Sequence, residues 1–116
     1  MTGMNRHLTA PEYALVKWML ENGLPEARAF LEQLDSAKVT PWRCACGCAS
    51  IHFQIDGHPP APPGVHVIGD FLCGAEDAPA GALIFVSDGL LGGIELYSMA
   101  SAAPSALPLP PLRPFG

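Results

Sequence analysis

The chain has 116 residues, including 12 glycines and 13 prolines, and its formal net charge is −5. This length suits one domain, and a hydrophobic content of 49% is too high for a globally disordered chain. No apolar run reaches the roughly 18 residues that a membrane helix needs, and an acidic balance disfavours nucleic acid as a partner.

A first helix is predicted to begin after Thr9. Thr9 and Glu12 have the spacing of a capping box, in which the threonine hydroxyl accepts from the amide of Glu12 and the glutamate carboxylate accepts from the amide of Thr9. The helix should continue to about Asn22. Gly23 is expected to end it in a left-handed conformation.

A second helix is predicted to follow almost at once. Pro25 occupies its first turn, where a missing N–H costs nothing. The apolar residues recur at helical spacing at Ala27, Phe30, Leu31 and Leu34. Because the connection is so short, we expect the two helices to form a hairpin.

Four strands are predicted near residues 50–56, 65–68, 82–86 and 93–99. In the first strand, Ile51, Phe53 and Ile55 alternate with polar residues, which is typical of a half-buried antiparallel strand. The last two strands should form a hairpin, because the Asp-Gly pair at 88–89 provides the positive φ angles of a tight turn. Residues 69–81 are rich in Gly, Ala, Asp and Pro and are predicted to be an irregular loop.

Helices that precede strands favour an α+β fold over a parallel βαβ sheet. We therefore predict one domain, residues 1–99, in which an N-terminal helical hairpin packs on an antiparallel sheet of about four strands. Residues 100–116 contain many prolines and are predicted to form an extended tail. The apolar side chains expected to lie across the sheet or a neighbouring surface are those of Leu107, Leu109, Leu112 and Phe115.

Three of the four cysteines lie within five residues, at Cys44, Cys46 and Cys48. Thiolates bind Zn²⁺ tetrahedrally, and a structural zinc site needs four nitrogen or sulfur ligands. The fourth ligand would be Cys73 or His52. In a strand Cys46 would point away from the other two, so this site requires the chain to turn at the following glycine.

Two other states of the cysteines are consistent with the sequence. Cys73 could form a disulfide with one of the three clustered cysteines, or all four could be reduced thiols packed as small apolar groups. The first 25 residues lack the pattern of a secretory signal, since Arg6, Glu12, Lys17 and Glu21 interrupt them. We therefore expect a cytoplasmic chain with reduced thiols.

Motifs typical of enzymes are missing from the sequence. It contains no G-x-S-x-G segment and no glycine-rich phosphate-binding pattern ahead of a helix. A cysteine and a histidine that are merely present in the chain are weak evidence for a nucleophile pair. The sequence therefore predicts a protein that is not an enzyme, with no catalytic and no cofactor-binding residues.

The charges are divided unevenly along the chain. Residues 44–112 contain no lysine or arginine and six acids: Asp56, Asp70, Glu76, Asp77, Asp88 and Glu95. An acidic surface attracts a basic partner and speeds the encounter. We therefore expect a non-catalytic protein-binding module whose partner is a basic protein. The alternative is a small zinc-binding protein that uses the cysteine cluster; the sequence does not indicate an oligomeric state.

Three stretches of the chain resemble a loosely defined group of small bacterial proteins with no established activity. They are the opening Leu8-Thr9-x-x-Glu12, the segment Cys44-x-Cys46-Gly-Cys48-x-Ser50-Ile51, and the hairpin Phe85-Val86-x-Asp88-Gly89-x-Leu91-x-x-x-Glu95-x-Tyr97. Similar helical-hairpin-plus-sheet proteins with a D-G-x-L turn occur among the immunity proteins of bacterial toxin systems. The resemblance implies an immunity-like binding role and assigns no catalytic residue.

Overall fold

Local sequence signals and long-range pairing together give a sheet with a helical layer on one side. The structure, a computed structural model, describes residues 4–45, 47–59, 66–75, 77–98 and 103–114. The elements in chain order are β1 Arg6–His7, α1 Ala10–Asn22, a 3₁₀ helix Pro25–Phe30, α2 Leu31–Leu34, β2 Ala37–Val39, β3 Ile51–Ile55, β4 His66–Ala75, β5 Ala78–Ser87, β6 Leu90–Ser98 and β7 Arg113–Pro114.

The strands form one seven-stranded sheet in the order β1-β2-β3-β6-β5-β4-β7, and each neighbouring pair is antiparallel. The predicted fold, a helical hairpin on about four strands, is therefore wrong. The sheet has additional short strands at both edges, and two residues of pairing are too few to give a recognisable pattern in the sequence.

The predicted second helix is mostly replaced by a tighter turn. Its first six residues form the 3₁₀ helix, and α2 is only one turn long. The amide of Leu24 donates to the carbonyl of Ile68 (2.8 Å), and the amide of Ala27 donates back to Leu24 (2.9 Å). Because this segment is attached to β4 at its start, tertiary contact overrides its helical periodicity.

The capping box at the start of α1 is confirmed. The amide of Glu12 donates to Oγ1 of Thr9 (3.3 Å), and the amide of Thr9 donates to Oε1 of Glu12 (2.8 Å). The left-handed cap predicted at Gly23 is wrong, because its φ is −84°. Gly23 is needed for another reason, since a Cβ there would overlap the carbonyl oxygen of Ile68 on β4.

The irregular loop predicted for residues 69–81 is also wrong. β4 and β5 pair continuously from His66↔Val86 to Ala75↔Ala78, apart from one irregularity between Val67 and Gly69. The small residues that suggested a loop make room for rings from neighbouring positions. A Cβ at Gly69 would come within 2.9 Å of the Phe71 ring, and one at Gly81 would overlap the Tyr97 ring.

The hairpin predicted at Asp88-Gly89 is confirmed, and both residues have positive φ angles, 54° and 76°. The side chain of Gln33 in α2 holds this turn against the helical layer. Its Nε2 donates to the carbonyl of Gly89 (2.8 Å), and its Oε1 accepts from the amide of Leu91 (2.9 Å).

The hydrophobic core lies between α1 and one side of the sheet, which we call the inner face. The Trp18 ring of α1 packs against Phe71 of β4 with a centroid distance of 4.9 Å. The sheet residues buried on this face include Phe53, Phe71, Ala82, Ile84, Ile94 and Leu96. Among the helices of the described residues, none combines the length and the apolar character needed to span a bilayer.

The C-terminal segment lies against the rest of the protein along much of its described length. Residues 113–114 form β7 beside β4, and the amide of Ala49 donates to the carbonyl of Pro104 (3.0 Å). Leu107 and Leu112 pack against the core, whereas Leu109 is 70% exposed. Phe115 lies outside the described residues.

Candidate functional site

The cysteine segment contains the turn that its metal-binding interpretation requires. The amide of Gly47 donates to the carbonyl of Cys44 (3.0 Å), and Gly47 has a φ of 85°. After this turn, Sγ of Cys48 lies 3.1 Å from Oγ of Ser50, whose hydroxyl also accepts from the amide of Leu96 (2.8 Å). Cys46 lies outside the described residues.

Cys73 lies in a different part of the sheet. It is buried on β4 opposite Ala80, and β5 and β6 separate β4 from β3, which follows the cysteine segment. Three strand spacings amount to about 14 Å, so the structure does not bring Cys73 close to that segment. Burial raises the pKa of the Cys73 thiol, and the nearby charge of Arg113 opposes this shift.

His52, the other candidate for a fourth metal ligand, lies between two aromatic rings. Its ring stacks on Trp42 with a centroid distance of 3.6 Å and an interplanar angle of 4°, and it meets Phe85 edge-on at 5.7 Å. Nε2 of His52 is buried and has no hydrogen-bond partner within the described residues. Burial lowers the pKa of His52, and the charge of Glu95 acts in the opposite direction.

Across the part of the chain that the structure describes, no three His, Cys, Asp or Glu side chains are grouped so that they could hold a metal ion. Cys46 lies outside that part of the chain. The zinc site of Cys44, Cys46, Cys48 and either Cys73 or His52 therefore stays a prediction.

A second candidate site lies on the side of the sheet opposite α1, which we call the outer face. Side chains alternate between the two faces of a strand, so the neighbours of the buried core residues point to this face. They are His52 on β3, Asp70 and Leu72 on β4, Leu83 and Phe85 on β5, and Glu95 and Tyr97 on β6. Except for Phe85, which is 8% exposed, these side chains are half-buried, in contrast to the closed inner face.

Two carboxylates flank an apolar side chain in one row across the outer face. Asp70 pairs with Leu83, and Leu83 pairs with Glu95, so the three residues lie side by side on β4, β5 and β6. Two strand spacings place the α-carbons of Asp70 and Glu95 about 10 Å apart. This arrangement offers two negative charges with a hydrophobic contact between them.

Tyr97 fixes the position of one of these carboxylates. Its ring lies over Gly81, and its hydroxyl donates to Oδ1 of Asp70 (2.6 Å). Burial and the hydrogen bond to Asp70 both raise the pKa of Tyr97, which therefore stays protonated and remains a donor at neutral pH.

Asp70 falls in the segment predicted to be an irregular loop, so its place in the row was not predicted. The relevant signal is the alternation of outward Asp70 and Leu72 with inward Phe71 and Cys73, which the surrounding glycines and prolines obscured. The predicted acidic surface is also less uniform than the sequence suggested. Asp77 and Asp88 lie exposed in the turns at opposite ends of the β4–β5–β6 meander.

Comparison with known proteins finds no family model, no curated protein and no solved structure that matches this chain.

Proposed function

We propose that this chain is a non-catalytic protein-binding module that binds a basic protein through the outer face of its sheet. The observation that supports this most directly is the row of Asp70, Leu83 and Glu95. Two carboxylates suit lysine or arginine side chains, and Leu83 between them suits the apolar stems of those side chains.

The row is partly organised before any partner binds. The hydrogen bond from Tyr97 restrains Asp70, and strands on both sides hold Leu83. A contact that is already ordered loses less side-chain entropy on association, so the binding free energy per contact is larger. Charge-assisted hydrogen bonds to a partner's cations are also stronger than neutral ones.

The overall charge of the chain also favours a basic protein as the partner. The second part of the chain, residues 44–112, contains six acids and no lysine or arginine, and the whole chain has a net charge of −5. Such a field speeds the encounter with a cationic protein and weakens as salt screens it. An immunity protein that neutralises a basic toxin is one example of such a binding module.

The test compares two variants with the same change in charge. D70N/E95Q removes both carboxylates of the row, and D77N/D88N removes two carboxylates from exposed turns. The tagged full-length chain of each type is used to recover proteins from its native cell extract at low and high salt. The recovered basic protein is then purified, and its affinity for each chain is measured by calorimetry.

We expect the wild-type chain and D77N/D88N to bind the same basic protein at low salt and to release it at high salt. D70N/E95Q should bind it about tenfold more weakly or worse, since desolvated charged contacts are lost. Equal affinity for all three chains, a partner that is acidic, or no stoichiometric partner at either salt concentration would refute the proposal.

A further inference from the structure

A crevice of about 670 Å³ opens beside the β1–β2 edge of the sheet. The start of α1, the chain between β2 and β3, and the C-terminal segment enclose it. Residues that contribute to its lining include Glu12, Thr40, Trp42, Arg43, Ser50 and Leu107. Its volume is within the range of sites that bind small molecules, roughly 300 to 1,000 Å³.

The net charge of the residues that line the crevice is positive, whereas the net charge of the whole chain is negative. Arg6, Glu12 and Arg43 are its charged residues. The guanidinium of Arg6 binds both carboxylate oxygens of Glu12, at 2.8 and 2.9 Å, so these two charges compensate each other. Arg43 has no ion-pair partner within the described residues. The crevice therefore has one uncompensated positive charge in a chain whose net charge is −5.

Trp42 gives the crevice an aromatic wall beside that charge. One side of its ring stacks on His52 at 3.6 Å, which restricts the rotation of the indole. Even so, 40% of the Trp42 surface is exposed. A large aromatic side chain that is held in place and left accessible offers contact area at little cost in entropy.

We propose that this crevice binds a small organic anion, with its carboxylate or phosphate on Arg43 and its apolar body against Trp42. A guanidinium binds either kind of anion through two parallel hydrogen bonds. The crevice does not include Asp70, Leu83 or Glu95, although its Trp42 stacks on His52 of the outer face. Because R43Q and D70N/E95Q change different residues, the failure of one proposal leaves the other open to its own test.

The test uses benzoate and phenyl phosphate as probes, with benzamide as the uncharged analogue of benzoate. Each is titrated into the full-length ¹⁵N-labelled chain while amide chemical shifts are recorded. R43Q removes the proposed counter-ion, and R43K keeps a positive charge without the planar fork. R28Q is the matched control, because Arg28 is exposed on the 3₁₀ helix and does not line the crevice.

We expect at least one of the two anions, and not benzamide, to shift the amides of residues 48–51 and 105–107. R43Q should weaken binding about tenfold, R43K should weaken it less, and R28Q should leave it unchanged. The proposal is overturned if neither anion shifts these amides, if benzamide binds as tightly as benzoate, or if R28Q reduces the affinity as much as R43Q.

Discussion

The hydroxyl of Tyr97 on β6 donates a 2.6 Å hydrogen bond to Oδ1 of Asp70 on β4, across the intervening strand β5. This contact is possible because Gly81 on β5 has no side chain under the Tyr97 ring. It joins the central strands on the face that we propose for partner binding.

Removal of this hydroxyl should lower the stability of the fold. Tyr97→Phe keeps the ring over Gly81 and loses the hydrogen bond, so the free energy of unfolding in urea should fall by about 1 kcal/mol. Tyr13→Phe is the matched control, because Tyr13 donates to Asp35 (2.7 Å) at an exposed position and should matter less. An equal loss in the two variants would show that the Tyr97–Asp70 bond has no special structural role.

The same hydrogen bond should make stability depend on alkaline pH. The folded pKa of Tyr97 is raised above its ordinary value of 10.0 by burial and by Asp70. The contribution of Tyr97 to the free energy of unfolding is therefore complete below about pH 10. It is lost as the pH rises further, because Tyr97 then ionises in the unfolded state while it stays protonated in the folded state. Unfolding is measured from pH 8 to pH 11 in a Tyr13→Phe background, because the pKa of Tyr13 is raised as well. Adding Tyr97→Phe should reduce the loss of unfolding free energy between pH 8 and pH 11. An unchanged loss would show that Tyr97 is not the group responsible.

Gly81→Ala should destabilise the protein through Tyr97. A Cβ at this position would overlap the Tyr97 ring, and overpacking of this kind costs about 1–3 kcal/mol. The cost should become much smaller in a Tyr97→Ala background, where the ring is gone. A double-mutant cycle from urea unfolding measures this coupling, and additive effects would show that the ring does not need the glycine.

The Arg6–Glu12–Thr9 cluster should make the start of α1 sensitive to acid. The pKa of Glu12 is lowered, chiefly by its hydrogen bonds to Arg6, with a further contribution from the Thr9 amide. Its stabilising effect is present above the ordinary value of 4.5 and is lost as the pH falls through the lowered folded pKa. Glu12→Gln should cost about 1 kcal/mol at pH 7 and much less in acid. Glu32→Gln, at an exposed position in α2, should change stability little at either pH.

Cys73→Ser should not change the metal content of the purified protein. Cys73 lies on β4, about 14 Å or three strand spacings from β3, and so is too distant to complete a site in the 44–48 segment. Elemental analysis measures the zinc content of the wild type, Cys73→Ser and Cys44→Ser. Loss of one equivalent of zinc in Cys73→Ser alone would show that Cys73 is a ligand after all.

Features that depend on interactions between near neighbours could be predicted from the amino-acid sequence. The capping box of Thr9 and Glu12 needs only three residues of spacing, and the Asp88-Gly89 turn needs only the positive φ that these residues tolerate. The alternation of Ile51, Phe53 and Ile55 likewise predicted a strand that the structure contains. In each case the decisive interactions lie within one turn or one strand.

The long β4–β5 hairpin and the row on the outer face depend on tertiary contacts. Gly69 and Gly81 disfavour strands when they are considered alone, but here they accommodate the rings of Phe71 and Tyr97. Asp70, Leu83 and Glu95 become neighbours only through the register of three strands, which depends on which face of each strand is buried and on the turns that join the strands. The candidate binding site therefore depends on contacts between distant residues, which local patterns do not specify.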